Sequence, residues 1–221
     1  MKILNLYSGI GGNRKLWSNE HEITSVEYRK DIAAVYSEYF PNDTLIIEDA
    51  HQYLLDHYKE FDFIWSSPPC QTHSRARLWG WKNDDRVVTK YPDMKLYQEI
   101  LFLDNYFEGL WIVENVKPYY EPLINPKKKL GRHLFWANFN IGTIELKEAD
   151  INKGNRREWS ELHGFDLTNF KINSRKDQIY RNCVHPRTGE HILNCALGII
   201  TKRNINQLEL FEDENIQTTI I

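Results

Sequence analysis

Short apolar runs alternate with longer segments of mixed character along the first half of the chain. Five runs are rich in β-forming residues and are bounded by polar residues, glycine or proline, at residues 3–7, 23–27, 45–47, 61–65 and 110–113. The segments between them are long enough to hold helices, and this alternation is typical of βα units around a parallel sheet. The pattern therefore predicts an α/β fold built on a doubly wound, mostly parallel sheet.

The alternation weakens after residue 116. A further strand is predicted at residues 134–141, while residues 141–180 are polar, basic and short of long apolar runs, which is typical of an insert. An amphipathic helix is predicted at residues 188–200, and the tail that follows is polar apart from a hydrophobic cluster near Leu208.

Length and composition narrow the class of protein. The chain has 221 residues, 41% of them hydrophobic, so we expect one compact domain with at most a small appendage. No apolar run approaches the ~20 residues that cross a bilayer, and the first residues lack the apolar core of a signal peptide, so a cytoplasmic protein without membrane contact is expected. Three cysteines without CxxC spacing and scattered histidines predict neither a disulfide framework nor a metal site.

Charge is distributed unevenly along the chain. The net charge is −3, but residues 117–187 carry +6 and the remainder carries −9. The basic residues of this stretch either line a phosphate-binding face or form an ordinary solvated surface.

The residues that follow the predicted strands are chemically distinctive. Ligands of doubly wound sheets bind beyond the carboxyl ends of the strands. We therefore expect one site to be formed by the residues at these ends, namely Ser8-Gly9-Ile10-Gly11-Gly12, Glu27, Asp49, Pro68-Pro69-Cys70 and Glu114.

The first three of these ends predict a nucleoside-bearing cofactor. A glycine-rich strand-to-helix turn allows close approach of a ligand, and the absence of a Walker lysine disfavours a triphosphate. Glu27, about twenty residues after the turn, is placed to accept both hydroxyls of a ribose. Asp49 is placed to accept a hydrogen bond from an exocyclic amine such as that of adenine. For either acid, the alternative is an ordinary surface carboxylate or a helix cap.

The other two ends predict covalent chemistry. Two prolines fix the loop that presents the Cys70 thiol, which is therefore either a nucleophile or a small core residue. Glu114, at the end of the next strand, could reach the same cavity as an acid that protonates a substrate nitrogen.

In this order the motifs resemble those of the DNA cytosine-5 methyltransferases, of which the chain resembles a compact bacterial or phage member. The residues that carry the resemblance are Leu6-Tyr7-Ser8-Gly9-Ile10-Gly11-Gly12, Pro68-Pro69-Cys70-Gln71 and Glu114-Asn115-Val116. Arg132 in Gly131-Arg132-His133 continues the match. The segment Arg181-Asn182-Cys183-Val184-His185-Pro186 is similar to the family's Gly-Asn-x-Val-Pro element, so the resemblance covers nearly the whole chain.

The resemblance implies S-adenosylmethionine as the cofactor in a Rossmann-like methyltransferase fold. Tyr7 would lie against the adenine, Gly9 and Gly11 near the methionine part, and Asn182 near the amino-acid end. The full set of cofactor-binding residues that it implies is Tyr7, Ser8, Gly9, Gly11, Gly12, Glu27, Tyr28, Asp49, Ala50, Pro68 and Asn182.

The resemblance also implies the reaction. Cys70 would add to C6 of cytosine while Glu114 holds N3 and the amino group, Arg132 would contact O2, and C5 would take the methyl group before its proton is lost. Because C5 is hidden in the duplex, the base must be flipped out of the stack. Residues 71–91, which are rich in basic and tryptophan side chains, either close over the flipped base or form a solvated loop.

The predicted DNA contacts lie in two groups. The first is Gln71, Ser74, Arg75 and Arg77 in this loop, and the second is Arg156, Arg157, Arg175 and Lys176, with Trp159 and His163 beside them. The predicted organisation is a catalytic domain at 1–140, a reduced target-recognition region at 141–180, a returning C-terminal helix at 181–200 and a flexible tail at 201–221. The small recognition region predicts a short or relaxed recognition sequence. In two further departures, Asn5 stands where the family has an acid, and Arg132 is one arginine where two basic positions are common.

The tail carries one further resemblance. Gln207, Leu208, Leu210 and Phe211 are similar to the peptides that dock bacterial proteins on the sliding clamp, although an apolar segment that packs on the domain is the alternative. The sequence as a whole predicts a monomeric enzyme that methylates double-stranded DNA. An RNA cytosine-5 methyltransferase and a non-catalytic DNA-binding regulator are the alternatives.

Overall fold

A computed structural model describes residues 1–75, 91–144 and 155–199. These residues form a seven-stranded sheet of order β3-β2-β1-β4-β5-β7-β6. The strands are β1 Lys2–Leu6, β2 Glu22–Val26, β3 Thr44–Ile46, β4 Phe63–Ser66, β5 Leu110–Val116, β6 Lys128–Leu130 and β7 His133–Ala137. Strands β1 to β5 pair in parallel, and β7 runs antiparallel to both β5 and β6. The predicted doubly wound, mostly parallel α/β sheet is confirmed.

Helices cover both faces of this sheet. They are α1 Lys30–Tyr39, α2 Ala50–His57, α3 Lys95–Tyr106, α4 Arg156–His163, α5 Lys176–Asn182 and α6 Pro186–Ala196, with a short 3-10 helix at Tyr58–Glu60. Leu4 and Ile64 pack with α2 and α3 on one face, whereas Ile3, Phe63 and Trp65 pack toward α6 on the other. Strands that are buried on both faces read as continuous apolar runs, which is why the sequence located them.

The segment between β1 and β2 differs from its prediction. Residues 7–21 form turns and contain no α-helix, so the glycine-rich element is not a strand-to-helix turn. Three glycines within four positions disfavour a helix, because each costs about 1 kcal/mol relative to alanine there. Arg14 holds these turns instead, through hydrogen bonds to the Trp17 carbonyl, Asn19 and Asp43.

The second half also differs in detail. The strand predicted at 134–141 ends at Ala137, and β6 was missed because three residues are too short to give a pattern. The final helix begins at Pro186, with His185 as its N-cap, and ends at Ala196.

Part of the predicted target-recognition region belongs to the core. Trp159 on α4 and Tyr180 on α5 pack with Phe165 and with Tyr36 and Phe40 near α1. Trp159 is 4% exposed and His163 is 7% exposed, so the structure does not present these two candidate DNA contacts at the surface. Burial in the core accounts for the Trp159 side chain.

Nothing in the described helices is both long and apolar enough to span a bilayer. The predicted clamp-binding residues, with the rest of the tail from residue 200, and the predicted DNA contact Arg77 lie outside the described residues.

Candidate active site

The carboxyl ends of the parallel strands open on a cleft of about 440 Å³. Most of the site residues that were predicted from the sequence line this cleft. Those that line it are Tyr7, Ser8, Gly9, Gly12, Glu27, Tyr28, Asp49, Ala50, Pro68, Cys70, Gln71, Glu114 and Asn182.

The glycine-rich turns form one wall of the cleft. Gly9 has a φ of +55° and donates its backbone N–H to Glu27 at 3.0 Å, which joins the turn to the end of β2. A Cβ on Gly12 would lie 2.2 Å from the Cys183 sulfur, so only glycine lets the segment after α5 approach. Gly11 does not line the cleft, because its Cα faces the rings of Phe40 and Tyr36.

Glu27 is held by the backbone on both sides. One carboxylate oxygen accepts from the Gly9 N–H and the other accepts from the Arg29 N–H at 2.8 Å. Burial raises the pKa of Glu27, and these two hydrogen bonds oppose the rise. The carboxylate is therefore fixed in orientation at the edge of the cleft.

Asp49 is the N-cap of α2, which was one of the alternatives predicted for it. Its side chain accepts from the Gln52 N–H at 3.0 Å at the start of α2, and this hydrogen bond lowers its pKa. Its second oxygen lies 3.5 Å from the Lys95 ammonium in the cleft wall.

Tyr7 is held by a buried carboxylate, Glu99, which was not predicted as a site residue. Its hydroxyl donates to Glu99 at 2.6 Å, and the fully buried Glu99 also accepts from Ser66 at 2.5 Å and lies 2.9 Å from His51 Nδ1. Tyr7 has a φ of +55°, a left-handed conformation that non-glycine residues seldom adopt. The network fixes the ring of Tyr7 in the cleft.

The Cys70 thiol lies at the end of β4 in a loop that β5 holds in place. Asn115 donates its side-chain N–H to the Pro68 carbonyl at 2.9 Å, and the N–H groups of His73 and Ser74 both donate to the Cys70 carbonyl. Burial, followed by the charge of Glu114, raises the pKa of the thiol to about 11, while Arg132 opposes the rise. Cys70 is therefore a thiol at neutral pH until a ligand changes its surroundings.

Glu114 is buried on β5 beside β7. Trp65 donates to the Ser67 hydroxyl at 2.8 Å, and Ser67 in turn hydrogen bonds to Glu114. Burial raises the pKa of Glu114 to about 7, so the group carries its proton for part of the time at neutral pH.

His133 lies against this carboxyl group, with its Nε2 3.6 Å from Glu114 Oε1. Burial, helped by the charge of Arg132, lowers its pKa to about 3. His133 is therefore neutral and forms no ion pair with Glu114.

Arg132, which was predicted as a catalytic residue, lies beside the cleft and is not among the residues that line it. Its guanidinium donates a hydrogen bond to the Arg181 carbonyl, and its charge lowers the pKa of both Cys70 and Glu114. It therefore lies in the electrostatic reach of the thiol and the carboxyl group.

Residues 1–119 match the family model for C-5 cytosine-specific DNA methylases. The chain belongs to this family. The family resemblance that was predicted from the motifs is confirmed.

Individual relatives match this chain over different lengths. It is 28% identical over 123 residues to a mouse tRNA (cytosine(38)-C(5))-methyltransferase, which covers 53% of this chain and 29% of the relative. It is 24% identical over 225 residues to the Type II methyltransferase M.Bsp6I of Bacillus sp. (strain RFL6), which covers 96% of this chain and 62% of the relative. The chain thus spans less than a third of the mouse relative's length and just under two thirds of that of the Bacillus relative.

One similar solved structure is that of a DNMT2 variant from Spodoptera frugiperda, whose sequence is 30% identical to this chain over the matched residues. The match has a TM-score of 0.36 and covers 52% of this chain and 35% of that one.

The predicted nucleic-acid contacts lie on several separate elements, and of those described only Gln71 lines the cleft. Arg75 is exposed, and Ser74 forms a β-bridge with Pro118. On α4, Arg156 is exposed and Arg157 pairs with Glu161 at 2.9 Å. On the α5 side, Arg175 pairs with Asp177 at 2.7 Å, and Lys176 donates to the Thr168 carbonyl at 2.9 Å.

Several cleft residues were missed as site members. Four residues that were not predicted also line the cleft, namely Ser67, Asn115, His133 and Arg181. Each is adjacent to a predicted motif, and this adjacency could have identified them: Ser67 precedes the two prolines, and Asn115 follows Glu114. Their roles depend on hydrogen bonds between strands, which a single sequence does not show.

Proposed function

We propose that the chain transfers a methyl group from S-adenosylmethionine to C5 of a flipped cytosine in DNA through a covalent Cys70 adduct. The observation that carries this proposal is the meeting of a thiol and a buried acid in one cleft. Cys70 follows β4 and Glu114 lies on the neighbouring strand β5, and the pKa of Glu114 is about 7. An acid with this pKa suits proton donation to a nitrogen at neutral pH.

The cleft residues fit the cofactor. The hydroxyl oxygen of Ser8 is buried in the cleft wall and has no hydrogen-bond partner within the described part of the chain. A buried polar atom of this kind is costly unless a ligand or water satisfies it. Each carboxylate oxygen of Glu27 can accept a further hydrogen bond, as ribose hydroxyls would require, and Tyr28, 74% exposed at the rim, offers an aromatic face.

The reaction follows from the proton balance of Cys70 and Glu114. The Cys70 proton passes to Glu114, and the sulfur forms a bond to C6. The electrons of the C5–C6 double bond shift toward N3, which takes the proton from Glu114. S-Adenosylmethionine, when bound, would supply the electrophilic methyl group that C5 attacks, with S-adenosylhomocysteine as the leaving group. A water molecule from the solvent then takes the C5 proton, the C5–C6 double bond forms again and the carbon–sulfur bond breaks. The electron pair returns to Cys70 as N3 gives its proton back to Glu114.

Arg132 completes this arrangement in the proposal. A cation beside Cys70 and Glu114 favours the thiolate that attacks. We assign it the contact to the cytosine O2, where it would also stabilise charge that develops on the ring.

The choice of DNA is supported by the family model, which describes DNA methylases. It is also supported by the match to a Type II methyltransferase over 96% of this chain, a likeness that suits a role in restriction–modification. The alternative of an RNA substrate is favoured by the tRNA methyltransferase relatives, which match 53% of the chain. The recognition region is short and several of its side chains, Trp159, Phe165, Leu167 and Tyr180, pack into the core, which supports a short or relaxed recognition sequence.

Bisulfite sequencing tests the reaction. Cells without cytosine-5 methylation of their own would express the intact chain, Cys70→Ala or Cys195→Ala, the last being a matched control because Cys195 lies outside the cleft. We expect protected cytosines with the intact chain and with Cys195→Ala, and none with Cys70→Ala. Protection in all three would remove Cys70 from the mechanism.

The same measurement on cellular RNA separates the substrates. Protection confined to RNA would replace DNA by the RNA alternative. Cofactor binding without protection of either nucleic acid would favour the non-catalytic regulator.

A further inference from the structure

Arg181 occupies a position in the cleft that neither the reaction nor the cofactor uses. It lies in the last turn of α5 and lines the cleft together with Cys70, Glu114 and His133. Its Nε atom is buried and has no hydrogen-bond partner among the residues that the structure describes. A buried donor left without an acceptor costs about 1–3 kcal/mol, so an acceptor from a bound ligand would relieve this cost.

The remaining contacts of the guanidinium leave its donors largely available. Its carbon lies 4.9 Å from the centre of the Trp159 ring, which supports the flat face of the group but accepts no N–H. Its Nη2 lies 3.9 Å from Asp177, which is too long for a hydrogen bond. That carboxylate is instead engaged by Arg175 at 2.7 Å.

The backbone of Arg181 is joined to a residue that acts on the reacting groups. Arg132 donates to the Arg181 carbonyl and lies within the electrostatic reach of Cys70 and Glu114. The guanidinium of Arg181 is a planar, permanently charged group that packs on an aromatic ring and lines the same cleft as Cys70 and Glu114. Such a group recognises the oxygens of a phosphate.

The surrounding charges favour a nucleic-acid phosphate over the carboxylate of the cofactor. Acidic side chains, Glu27 and Asp49, line the cleft at the ends of β2 and β3, whereas residues 175–182, which carry Arg181, have three basic side chains and one acidic side chain, Asp177. Arg181 also stands where the family element that it resembles has glycine, which carries no donor. The contact would therefore be a property of this chain.

Resting on the proposed function, we infer that Arg181 binds a backbone phosphate of the nucleic-acid strand that carries the target cytosine. With a short recognition region, a phosphate contact beside the reacting base would supply affinity that base contacts do not. Because it would act on any sequence, it also suits a relaxed recognition site.

Binding of a fluorescent duplex to the full chain at several salt concentrations tests this inference. Arg181→Gln removes the charge, Arg181→Lys keeps it, and Arg187→Gln is a matched control on the exposed start of α6. We expect about tenfold weaker binding for Arg181→Gln and a salt-dependence slope reduced by about 1, with Arg181→Lys between it and the intact chain. Arg187→Gln should match the intact chain, and all four proteins should have equal cofactor affinity by calorimetry.

Two results would overturn the inference. Unchanged duplex affinity and slope in Arg181→Gln would show that no phosphate binds there, and a loss confined to cofactor affinity would assign the guanidinium to the cofactor's carboxylate. Because the readout is binding, either result can occur while the intact chain still methylates DNA. Failure of the intact chain to methylate any nucleic acid would instead count against the proposed function.

Discussion

At the scale of single residues, Glu114 and Cys70 share one proton across the neutral range. The pKa of Glu114 is about 7 and that of Cys70 about 11, so between these values the pair holds one proton, on the thiol. The reactive form, a thiolate with a protonated acid, also holds one proton. Below about pH 7 a second proton binds and must be lost before the thiolate can form.

The pH dependence of methyl transfer follows from this count. We expect kcat/KM to fall about tenfold for each pH unit below 7 and to be level from about pH 7.5 to 9. Glu114→Gln should lower kcat/KM by about 10²–10⁴ and abolish the acidic limb, while Glu38→Gln, an exposed control on α1, should change neither. Initial rates at constant ionic strength measure this. A decline above pH 7.5 would contradict the shared-proton description.

At the scale of elements, Glu99 on α3 connects three other elements at the cleft wall that we assign to the cofactor. It receives Tyr7 from the end of β1, Ser66 from the end of β4 and His51 from α2. The role of this residue could not be predicted from the sequence, because it stands in the middle of an apolar helix. A buried carboxylate in such a helix is a signal that becomes interpretable only when its partners from other elements are known.

Replacing Glu99 by Gln should weaken cofactor binding more than it slows the reaction. The amide cannot accept from both Tyr7 and Ser66 with unchanged geometry, so the Tyr7 ring loses its anchor. We expect the Kd for S-adenosylmethionine to rise about tenfold, with kcat at saturation within about twofold. Calorimetry and steady-state rates separate the two quantities, and Glu108→Gln, beyond the end of α3, is the control. Equal losses in kcat and affinity would point to a general structural defect.

Helix α4 contributes an acid-sensitive group to the fold. Burial, helped by the charges of His185 and Arg132, lowers the pKa of His163 from 6.5 to about 4. The unfolded chain therefore binds a proton below pH 6.5 that the folded chain does not, so stability contributed by this group is lost as the pH falls from 6.5 toward 4. The expected slope is about 1.4 kcal/mol per pH unit.

Denaturant unfolding of the intact chain and of His163→Leu at pH 7.5, 6.0 and 5.0 measures that slope. Other titrating groups contribute equally to both proteins, so the difference between them isolates His163. We expect the free energy of unfolding of the variant to depend less steeply on pH, by about 1.4 kcal/mol per unit between 6.5 and 4. Parallel pH dependences would show that His163 titrates alike in both states.

At the scale of the whole molecule, the sequence predicted the sheet and the cleft better than the region beyond β7. Doubly buried strands give long apolar runs, and their carboxyl ends must share one edge, so Cys70 and Glu114 could be brought together without coordinates. The stretch from α4 to α5 is polar in composition, yet Trp159, Phe165 and Tyr180 attach it to α1. The position of this stretch depends on the packing of a few large side chains. The average composition, from which it was predicted to be an insert, does not show their effect.

The tail gives the last prediction, because it concerns how the whole chain finds its substrate. A domain with few base-reading residues gains affinity by mass action when it is tethered near DNA, and a clamp-binding peptide at Gln207, Leu208, Leu210 and Phe211 would provide such a tether. Deleting residues 206–221 should then abolish capture by an immobilised bacterial sliding clamp and leave kcat/KM on short duplexes unchanged. Alanine at Leu208 and Phe211 should reproduce the loss of capture, whereas alanine at Thr218 and Thr219 should not. If clamp binding persists after the deletion, the tail is not the tether. If the deletion instead lowers thermal stability, the apolar cluster packs on the domain.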